Sequence, residues 1–217
     1  MPNRFEKFRG TDLLWEAIKL CKSDFEIVMV DYPRSNTQED RDFRKKLVET
    51  KPSQVKLIQP IKRSEIARYY TYADAVITNL FIGTFEMVGL ESVMCGTPVI
   101  QYTDTKKKII VNGKAIESPF VPFSKDPKEI AEVIDKIVES RKFRDELFKK
   151  EYEFVDQVAN PEKCAEWWDN LFEELVNKHK TINKNSSKIS VKLRMYGFLI
   201  ANRLYLDKIR KISSLFK

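Results

Sequence analysis

A glycine loop followed by a short helix is the segment of this chain whose residues could do chemistry. Gly83 lets the backbone turn tightly and come close to a ligand, and the residues after it predict a helix over 86–94. The free backbone N–H groups at the start of such a helix favour a bound phosphate. On these residues alone, a plain Rossmann-like unit that binds no ligand at this loop remains an alternative.

The elements on either side of this helix predict where the loop lies. The apolar run 75–78 is typical of a buried parallel strand. Gly96 is expected to end the helix, and Pro98 prevents its continuation before a strand over 98–102. The loop therefore follows the carboxyl end of a parallel strand, which is where ligands bind in sheets of this kind.

Helix and strand signals alternate before residue 104, and residues 104–125 are less regular, with a turn signal at Asn112-Gly113. The expected elements are a helix capped by Thr11 or Asp12, a strand over 25–30, a helix over 38–49, a strand over 55–58 and a helix from its cap Ser64 to about Ala73. Strands separated by helices form βαβ units. We therefore predict an α/β fold, a Rossmann-like doubly wound parallel sheet, followed after Pro127 by C-terminal helices.

Residues 73–100 resemble the nucleotide-sugar-binding half of retaining glycosyltransferases of family four, the glycosyltransferase group 1 enzymes. The likeness lies in Ala73-Asp74-Ala-Val-Ile, in Phe85 of the glycine loop and in Gly89-Leu90-Glu91-Ser-Val-Met-Cys95-Gly96-Thr97-Pro98-Val99-Ile100. These enzymes have the GT-B fold, in which two Rossmann-like domains face each other across a cleft. The resemblance covers about residues 1–175 and implies that the chain is a single GT-B half, the one that binds the donor.

The resemblance assigns a role to one glutamate and leaves another role without a residue. The family's motif has two glutamates separated by seven residues, and Glu91 matches the second, which holds the ribose hydroxyls of the donor. The first falls on Gly83. Because the family's first glutamate contacts the transferred sugar near the reacting carbon, the catalytic residue is left unassigned here. Glu86 lies three residues further along and is not given that role.

The amino terminus resembles the family segment in which an arginine and a basic residue before glycine clamp the donor diphosphate. Arg4 and Arg9 are the matching residues, and Arg9 stands where lysine is more usual; two solvated surface arginines are the alternative. A guanidinium still donates to phosphate, as a planar fork. The donor-binding residues that the resemblance implies, with the backbone N–H groups of the helix start included, are Arg4, Arg9, Gly83, Thr84, Phe85, Glu86, Met87 and Glu91.

The activity implied by the resemblance is transfer of a sugar from a nucleotide-diphosphate sugar, with retention, to a lipid-linked or polysaccharide acceptor in cell-envelope glycan biosynthesis. Positive groups would stabilise the departing diphosphate, so neither a metal nor a cofactor is expected. The acceptor domain of the family would have to come from a longer gene or from a separate N-terminal-half polypeptide. The alternative is a non-catalytic nucleotide- or protein-binding module; a GT-B-like epimerase or phosphorylase is a third hypothesis.

The net charge of +7 belongs to the end of the chain. Residues 178–217 hold eleven Lys and Arg against one acid, which gives them +10 and leaves −3 for the rest. We expect a nucleotide-sugar-binding domain over 1–177, a polar linker over 178–188 and a basic amphipathic tail helix over 189–217. Such a helix is typical of an anionic membrane surface. Docking on a protein and disorder are the alternatives, and the slightly acidic domain argues against nucleic acid.

The three cysteines, Cys21, Cys95 and Cys164, have no paired spacing and are expected to be buried free thiols in a reducing compartment. Because free thiols indicate a reducing compartment, we expect a cytoplasmic protein, which would lie at the cytoplasmic face of the membrane if the tail binds there. With His179 as the only histidine, the sequence argues against a zinc site or a histidine-based triad. Trp167 and Trp168 are expected in the core or at an interdomain seam.

Overall fold

A computed structural model of the chain describes residues 2–3, 7–31, 37–111 and 114–179. Residues 1–165 form one compact unit, and a second unit begins at residue 166. The described elements are β1 (Pro2–Asn3), a short 3-10 helix (Lys7–Arg9), α1 (Thr11–Ile18), β2 (Ile27–Asp31), α2 (Gln38–Glu49), β3 (Val55–Ile58), α3 (Arg63–Thr71), β4 (Val76–Ile77), α4 (Met87–Met94), β5 (Val99–Ile100), β6 (Ile109–Val111), β7 (Lys114–Ile116), α5 (Pro127–Glu139), α6 (Arg141–Ala159) and α7 (Pro161–His179).

The strands of the first unit pair in parallel, as the sequence predicts. β1, β2 and β3 form one described sheet with β2 in the middle, and β4 pairs with β5 in another. All four residues of β4 and β5 are buried, which explains why these strands read as short apolar runs rather than as an alternating pattern. β6 and β7 form an antiparallel hairpin, and the predicted turn at Asn112-Gly113 lies outside the described residues.

Helix starts show where local signals are sufficient and where they are not. α2 spans the predicted 38–49, and the Thr37 hydroxyl accepts a hydrogen bond from the Asp40 N–H at 3.1 Å. The predicted Ser64 cap is wrong, because α3 starts at Arg63 after an extended Lys62. The Thr11 or Asp12 cap is also wrong: Gly10, in the left-handed region at φ 74°, precedes α1, and a Cβ there would lie 2.9 Å from the Leu80 Cβ.

Two apolar clusters hold the first unit together. The larger one joins α1 and α5 to the strands through buried residues such as Leu14, Met29, Ile77, Ile100 and Ile134. The smaller one centres on three phenylalanine rings, Phe85, Phe120 and Phe154, whose centroids are 5.4–5.6 Å apart. Phe85 and Phe120 stack, and both meet Phe154 edge to face, which adds to the burial of the rings and anchors the loop that leads into α4.

A fully buried carboxyl group, Glu151 on α6, fixes β5 beside the smaller cluster. Its Oε2 accepts the backbone N–H of Val99 at 2.8 Å. Burial raises the pKa of Glu151 well above its usual value, because the charged form is poorly solvated inside the protein, and the hydrogen bond from Val99 opposes this only in part.

The cysteines are free, as predicted, but they are partly exposed rather than buried. Cys95 follows α4 and Cys21 follows α1, so these two lie at helix ends and not on fully covered faces. Burial and the nearby Asp135 carboxylate raise the pKa of the Cys21 thiol to about 11. The thiol of Cys21 is therefore protonated at neutral pH.

The aromatic face of α7 is exposed, so the predicted core role of its tryptophans is wrong. Trp167 and Trp168 are 45% and 50% exposed, and the Trp168 ring stacks on Phe172 with a centroid distance of 5.7 Å. None of the helices in the described part of the chain is long and apolar enough to cross a membrane. The predicted basic tail over 189–217 lies outside the described residues.

Candidate functional site

The loop after β4 is shaped by a buried asparagine that the sequence analysis missed. The Asn79 Oδ1 accepts the N–H groups of Phe81 and Ile82 at 2.7 and 2.8 Å, and this bends the chain immediately after the strand. An asparagine that follows a strand is a turn signal in its own right and could have been found. The bend brings the chain to Gly83 at the carboxyl end of β4, as predicted.

Gly83 is a glycine for two physical reasons. Its φ of +72° lies in the left-handed region, and an added Cβ would come within 2.7 Å of the Tyr102 ring and 2.8 Å of the Asp104 Cβ. The space beside it is filled by the segment that follows β5. A glutamate at this position would therefore require the Tyr102 ring and the chain at Asp104 to move and would hold a strained backbone, so the local packing favours glycine here.

A buried glutamine ties the same loop to β5. The Gln101 amide donates to the Thr84 carbonyl at 2.9 Å, while its Oε1 accepts from the Thr78 hydroxyl at 2.9 Å. Because the NH2 group and the oxygen of the Gln101 amide each make a hydrogen bond, the loop between Gly83 and α4 is fixed in position relative to the strands.

Glu86, the residue before α4, turns its carboxylate away from its own helix and towards the amino-terminal segment. Its Oε1 accepts from the Arg9 Nη1 at 2.6 Å and from the Asn79 amide at 3.2 Å. Asn79 also donates to the Phe8 carbonyl, and the Leu80 N–H donates to the Arg9 carbonyl at 3.1 Å. The structure thus brings Arg9 to the amino end of α4, where it is paired with a carboxylate.

Glu91 lies in the second turn of α4, about 7.5 Å further along the helix axis. Its Oε1 accepts from the Arg63 Nη2 at 3.0 Å, and Tyr70 of the same helix α3 lies close enough to feel the Glu91 charge. Burial and the negative charge of Glu91 are the largest of the effects that raise the pKa of Tyr70 to about 12. The sequence analysis predicted neither Arg63 nor Tyr70 beside Glu91, because no pattern within α3 shows which of its side chains will contact another helix.

Of the other predicted donor-binding residues, three lie in the same loop or at the start of α4. Thr84 and Met87 are exposed, Phe85 is part of the phenylalanine cluster, and Arg4 lies outside the described residues. Two lysines stand beside the loop as well. The Lys125 Nζ lies 3.8 Å from the centre of the Phe81 ring, and the Lys107 Nζ donates to the Ile82 carbonyl at 2.8 Å.

Chemically, this arrangement suits an anionic ligand. Backbone N–H groups at the start of α4, one guanidinium and two ammonium groups surround a loop at the carboxyl end of a parallel strand. Glu91 offers a carboxylate acceptor for hydroxyl groups further along. Within the described residues, no cluster of His, Cys, Asp and Glu is suited to hold a metal ion.

Comparisons with known families agree with the fold and with the motif. Residues 1–154 match the model of the family described as glycosyl transferases group 1. No curated protein matches the chain. Many solved structures do, and the likeness to the three described next is one of fold, because they are 18–22% identical to this chain.

Three of these structures show what the chain is similar to. Sucrose-phosphate synthase from Thermosynechococcus elongatus is 22% identical with a TM-score of 0.57, over 81% of this chain and 44% of that one. HepE from Anabaena in complex with UDP-glucose is 18% identical with a TM-score of 0.57, over 77% and 47%. The C-terminal domain of a glycosyl transferase group 1 family protein from Francisella tularensis is 21% identical with a TM-score of 0.51, over 73% and 83%. The chain spans less than half of the first two proteins.

Proposed function

Because the chain belongs to the group 1 glycosyl transferases, we propose that its first unit binds the nucleotide-diphosphate sugar from which such an enzyme transfers a sugar. The diphosphate would lie against Arg9 and the amino end of α4, and the ribose hydroxyls would donate to Glu91. Arg4, by the family resemblance, would be a second clamp on the diphosphate.

The observation that carries this proposal is the pairing of Arg9 with Glu86. A carboxylate already lies 2.6 Å from the guanidinium at the start of α4, which marks this point as one where a negative charge is stabilised. A donor phosphate is an anion with the same kind of acceptor oxygens. The complexes of HepE with UDP and UDP-glucose support a nucleotide sugar as the ligand class.

In this proposal the reaction is helped by charge rather than by a metal. As the bond between the sugar and the diphosphate breaks, negative charge develops on the leaving phosphate, and Arg9 with the α4 N–H groups stabilises it. The sugar, a hexose by family resemblance, would pass with retention to a lipid-linked or polysaccharide acceptor. An acceptor domain, in the same protein or in a separate polypeptide, would complete the cleft.

Calorimetric titration of the chain with UDP, GDP and ADP tests the donor site. We expect one diphosphate to bind, and Arg9→Ala to weaken it by about 10- to 100-fold, since a charge-assisted hydrogen bond is lost. Glu91→Ala should weaken the nucleoside diphosphate but not inorganic pyrophosphate, which has no ribose. Arg141→Ala and Glu117→Ala, at positions whose side chains are each 86% exposed, are the matched controls. Unchanged affinity in the Arg9 and Glu91 variants would show that the ligand binds elsewhere.

A non-catalytic nucleotide- or protein-binding module is the second candidate. It is favoured by the crowding around Gly83, where a Cβ would lie 2.7–2.9 Å from Tyr102 and Asp104, so that the family's first glutamate is not accommodated without movement. Transfer of radiolabelled sugar from the donor to cell-envelope lipids, measured with the chain joined to or mixed with its acceptor domain, separates the two. Turnover that Arg9→Ala abolishes supports the transferase, whereas diphosphate binding without turnover in that complete system supports the module.

We also propose that the basic segment 189–217 binds an anionic membrane surface, which would bring the first unit close to a lipid-linked acceptor. Each Lys or Arg near such a surface contributes about 1 kcal/mol. In flotation with phosphatidylserine-containing liposomes, the full chain should partition with the lipid and a chain ending at residue 188 should not. Equal partitioning of the two would overturn this part of the proposal.

A further inference from the structure

The segment that follows β5 passes directly beside the Gly83 loop. The Tyr102 N–H donates to the Asn79 carbonyl at 3.0 Å, and the Asp104 backbone nitrogen lies 3.5 Å from the Gly83 carbonyl oxygen. A Cβ on Gly83 would lie 2.8 Å from the Asp104 Cβ. Because Gly83 has no side chain of its own, the segment after β5 supplies the acidic side chain at this place, and that side chain is Asp104.

The two carboxylate oxygens of Asp104 differ in their partners. Oδ1 accepts the Lys106 N–H at 3.1 Å, in a turn where the Lys107 N–H also donates to the Asp104 carbonyl at 2.9 Å. Oδ2 lies 3.9 Å from the Lys107 Nζ, which is an ion pair too long for a hydrogen bond, and no described residue donates a hydrogen bond to it. Because the side chain is 28% exposed, a ligand can reach this oxygen.

Lys107 fixes the side of the loop on which the carboxylate lies. Its ammonium group donates to the Ile82 carbonyl at 2.8 Å and at the same time pairs with Asp104. The carboxylate is thereby placed next to the peptide group that precedes Gly83. A carboxylate repels a nearby diphosphate, and the positive charge of Lys107 offsets this repulsion.

The order of groups in a nucleotide-diphosphate sugar predicts what this carboxylate meets. The inference rests on the proposed function, in which the ribose lies at Glu91 in the second turn of α4 and the diphosphate at the amino end of that helix. The sugar is attached to the far phosphate, so it lies on the side of the diphosphate away from Glu91, towards the Gly83 loop. Sugar hydroxyls are hydrogen-bond donors, and a carboxylate oxygen is a strong acceptor for them.

We propose that Asp104 contacts the transferred sugar, with its Oδ2 accepting hydrogen bonds from sugar hydroxyls. Asp104 is then a specificity-determining residue for the sugar, whereas Arg9 and Glu91 hold the nucleoside diphosphate. The ligand class that fits is a sugar with free ring hydroxyls. Oδ1 and Lys107 act as positioning groups, because they fix the carboxylate without using the oxygen that the sugar would reach.

Calorimetric titration with sugar nucleotides and their parent diphosphates tests this inference. UDP-glucose and UDP-N-acetylglucosamine are compared with UDP, and GDP-mannose with GDP, in the native chain and in Asp104→Asn. We expect Asp104→Asn to weaken at least one sugar nucleotide by about 5- to 20-fold and to change its parent diphosphate by less than about 2-fold, because only the sugar loses a charge-assisted hydrogen bond. Asp104→Ser, whose hydroxyl also accepts a backbone N–H two residues on, should show the same selective loss.

Asp126→Asn is the matched control, because the Asp126 Oδ1 also accepts the N–H two residues on, that of Lys128, at 3.0 Å. It should change neither class of ligand. Equal weakening of a sugar nucleotide and its diphosphate by Asp104→Asn would overturn the inference, since Asp104 would then only shape the loop. Unchanged affinity for all three sugar nucleotides would overturn it as well. If UDP and GDP bind but Arg9→Ala does not weaken them, the donor site itself lies elsewhere and the proposed function fails with it.

Discussion

The amino end of α4 and its second turn each hold a glutamate that pairs with an arginine, and the two pairs differ in their exposure to solvent. At the amino end, the side chains of Arg9 and Glu86 are 29% and 20% exposed, and Asn79 braces the carboxylate. In the second turn, Glu91 meets an Arg63 side chain that is 88% exposed. A surface pair of that kind contributes little and exchanges easily, while a shielded, braced pair is held in place.

This difference separates the two parts of the proposed donor site. In the proposed site, a ribose at Glu91 would displace only a weakly held arginine of α3. A diphosphate at Arg9 would compete with a carboxylate that carries the same sign of charge. We therefore expect the affinity for the donor to depend mainly on the competition between its diphosphate and Glu86 for Arg9, at the amino end of α4.

The largest effect is expected from the glycine that shapes this end. Gly83→Ala should lower the free energy of unfolding by about 2–4 kcal/mol, because it adds a crowded Cβ to a left-handed backbone. Gly96→Ala is the matched control: its φ is also positive, at 88°, but a Cβ there meets nothing within 4 Å. It should cost about 1–2 kcal/mol. Equal costs in urea denaturation would show that the segment at Tyr102 and Asp104 yields readily.

We expect a smaller effect from a substitution of Glu86. It should raise the affinity for the diphosphate, whereas most substitutions in a binding site lower the affinity. Glu86→Gln should tighten diphosphate binding by about 5- to 10-fold, since a neutral amide competes less well for Arg9 than a carboxylate does. Glu91→Gln should weaken it. Titration calorimetry with the diphosphate that binds the native chain measures both. If Glu86→Gln weakens binding instead, then Glu86 contacts the donor rather than competing with it.

The smallest effects compare the two arginines in the ligand-free chain. Arg9→Ala should lower the free energy of unfolding by about 1 kcal/mol, because Glu86 loses a partly buried partner. Arg63→Ala should change it by less than about 0.5 kcal/mol. Urea denaturation of the two variants, with a cycle that adds Glu86→Gln, isolates the coupling between Arg9 and Glu86. Equal losses in the two variants would remove the distinction between the pairs.

Local signals were enough for much of the fold. α2 and β3 have their predicted bounds because a threonine cap, an amphipathic repeat and flanking prolines all lie within a few residues of the element they limit. Gly96, at φ 88°, ends α4 as predicted. The motif around Glu91 was also readable, because a family likeness depends on the order of residues and not on their contacts.

By itself, the sequence determined the parallel α/β architecture, the glycine loop before α4 and the family, since each follows from residues that are neighbours along the chain. Only the tertiary structure decided that Glu86 neutralises Arg9, 77 positions away, and that Tyr102 and Asp104 fill the space beside Gly83. It also decided that Arg63 pairs with Glu91, 28 positions away, and that a cavity of about 970 Å³ lies between β2 and β4. Such contacts depend on how distant segments pack, and no spacing along the chain encodes the distance between them.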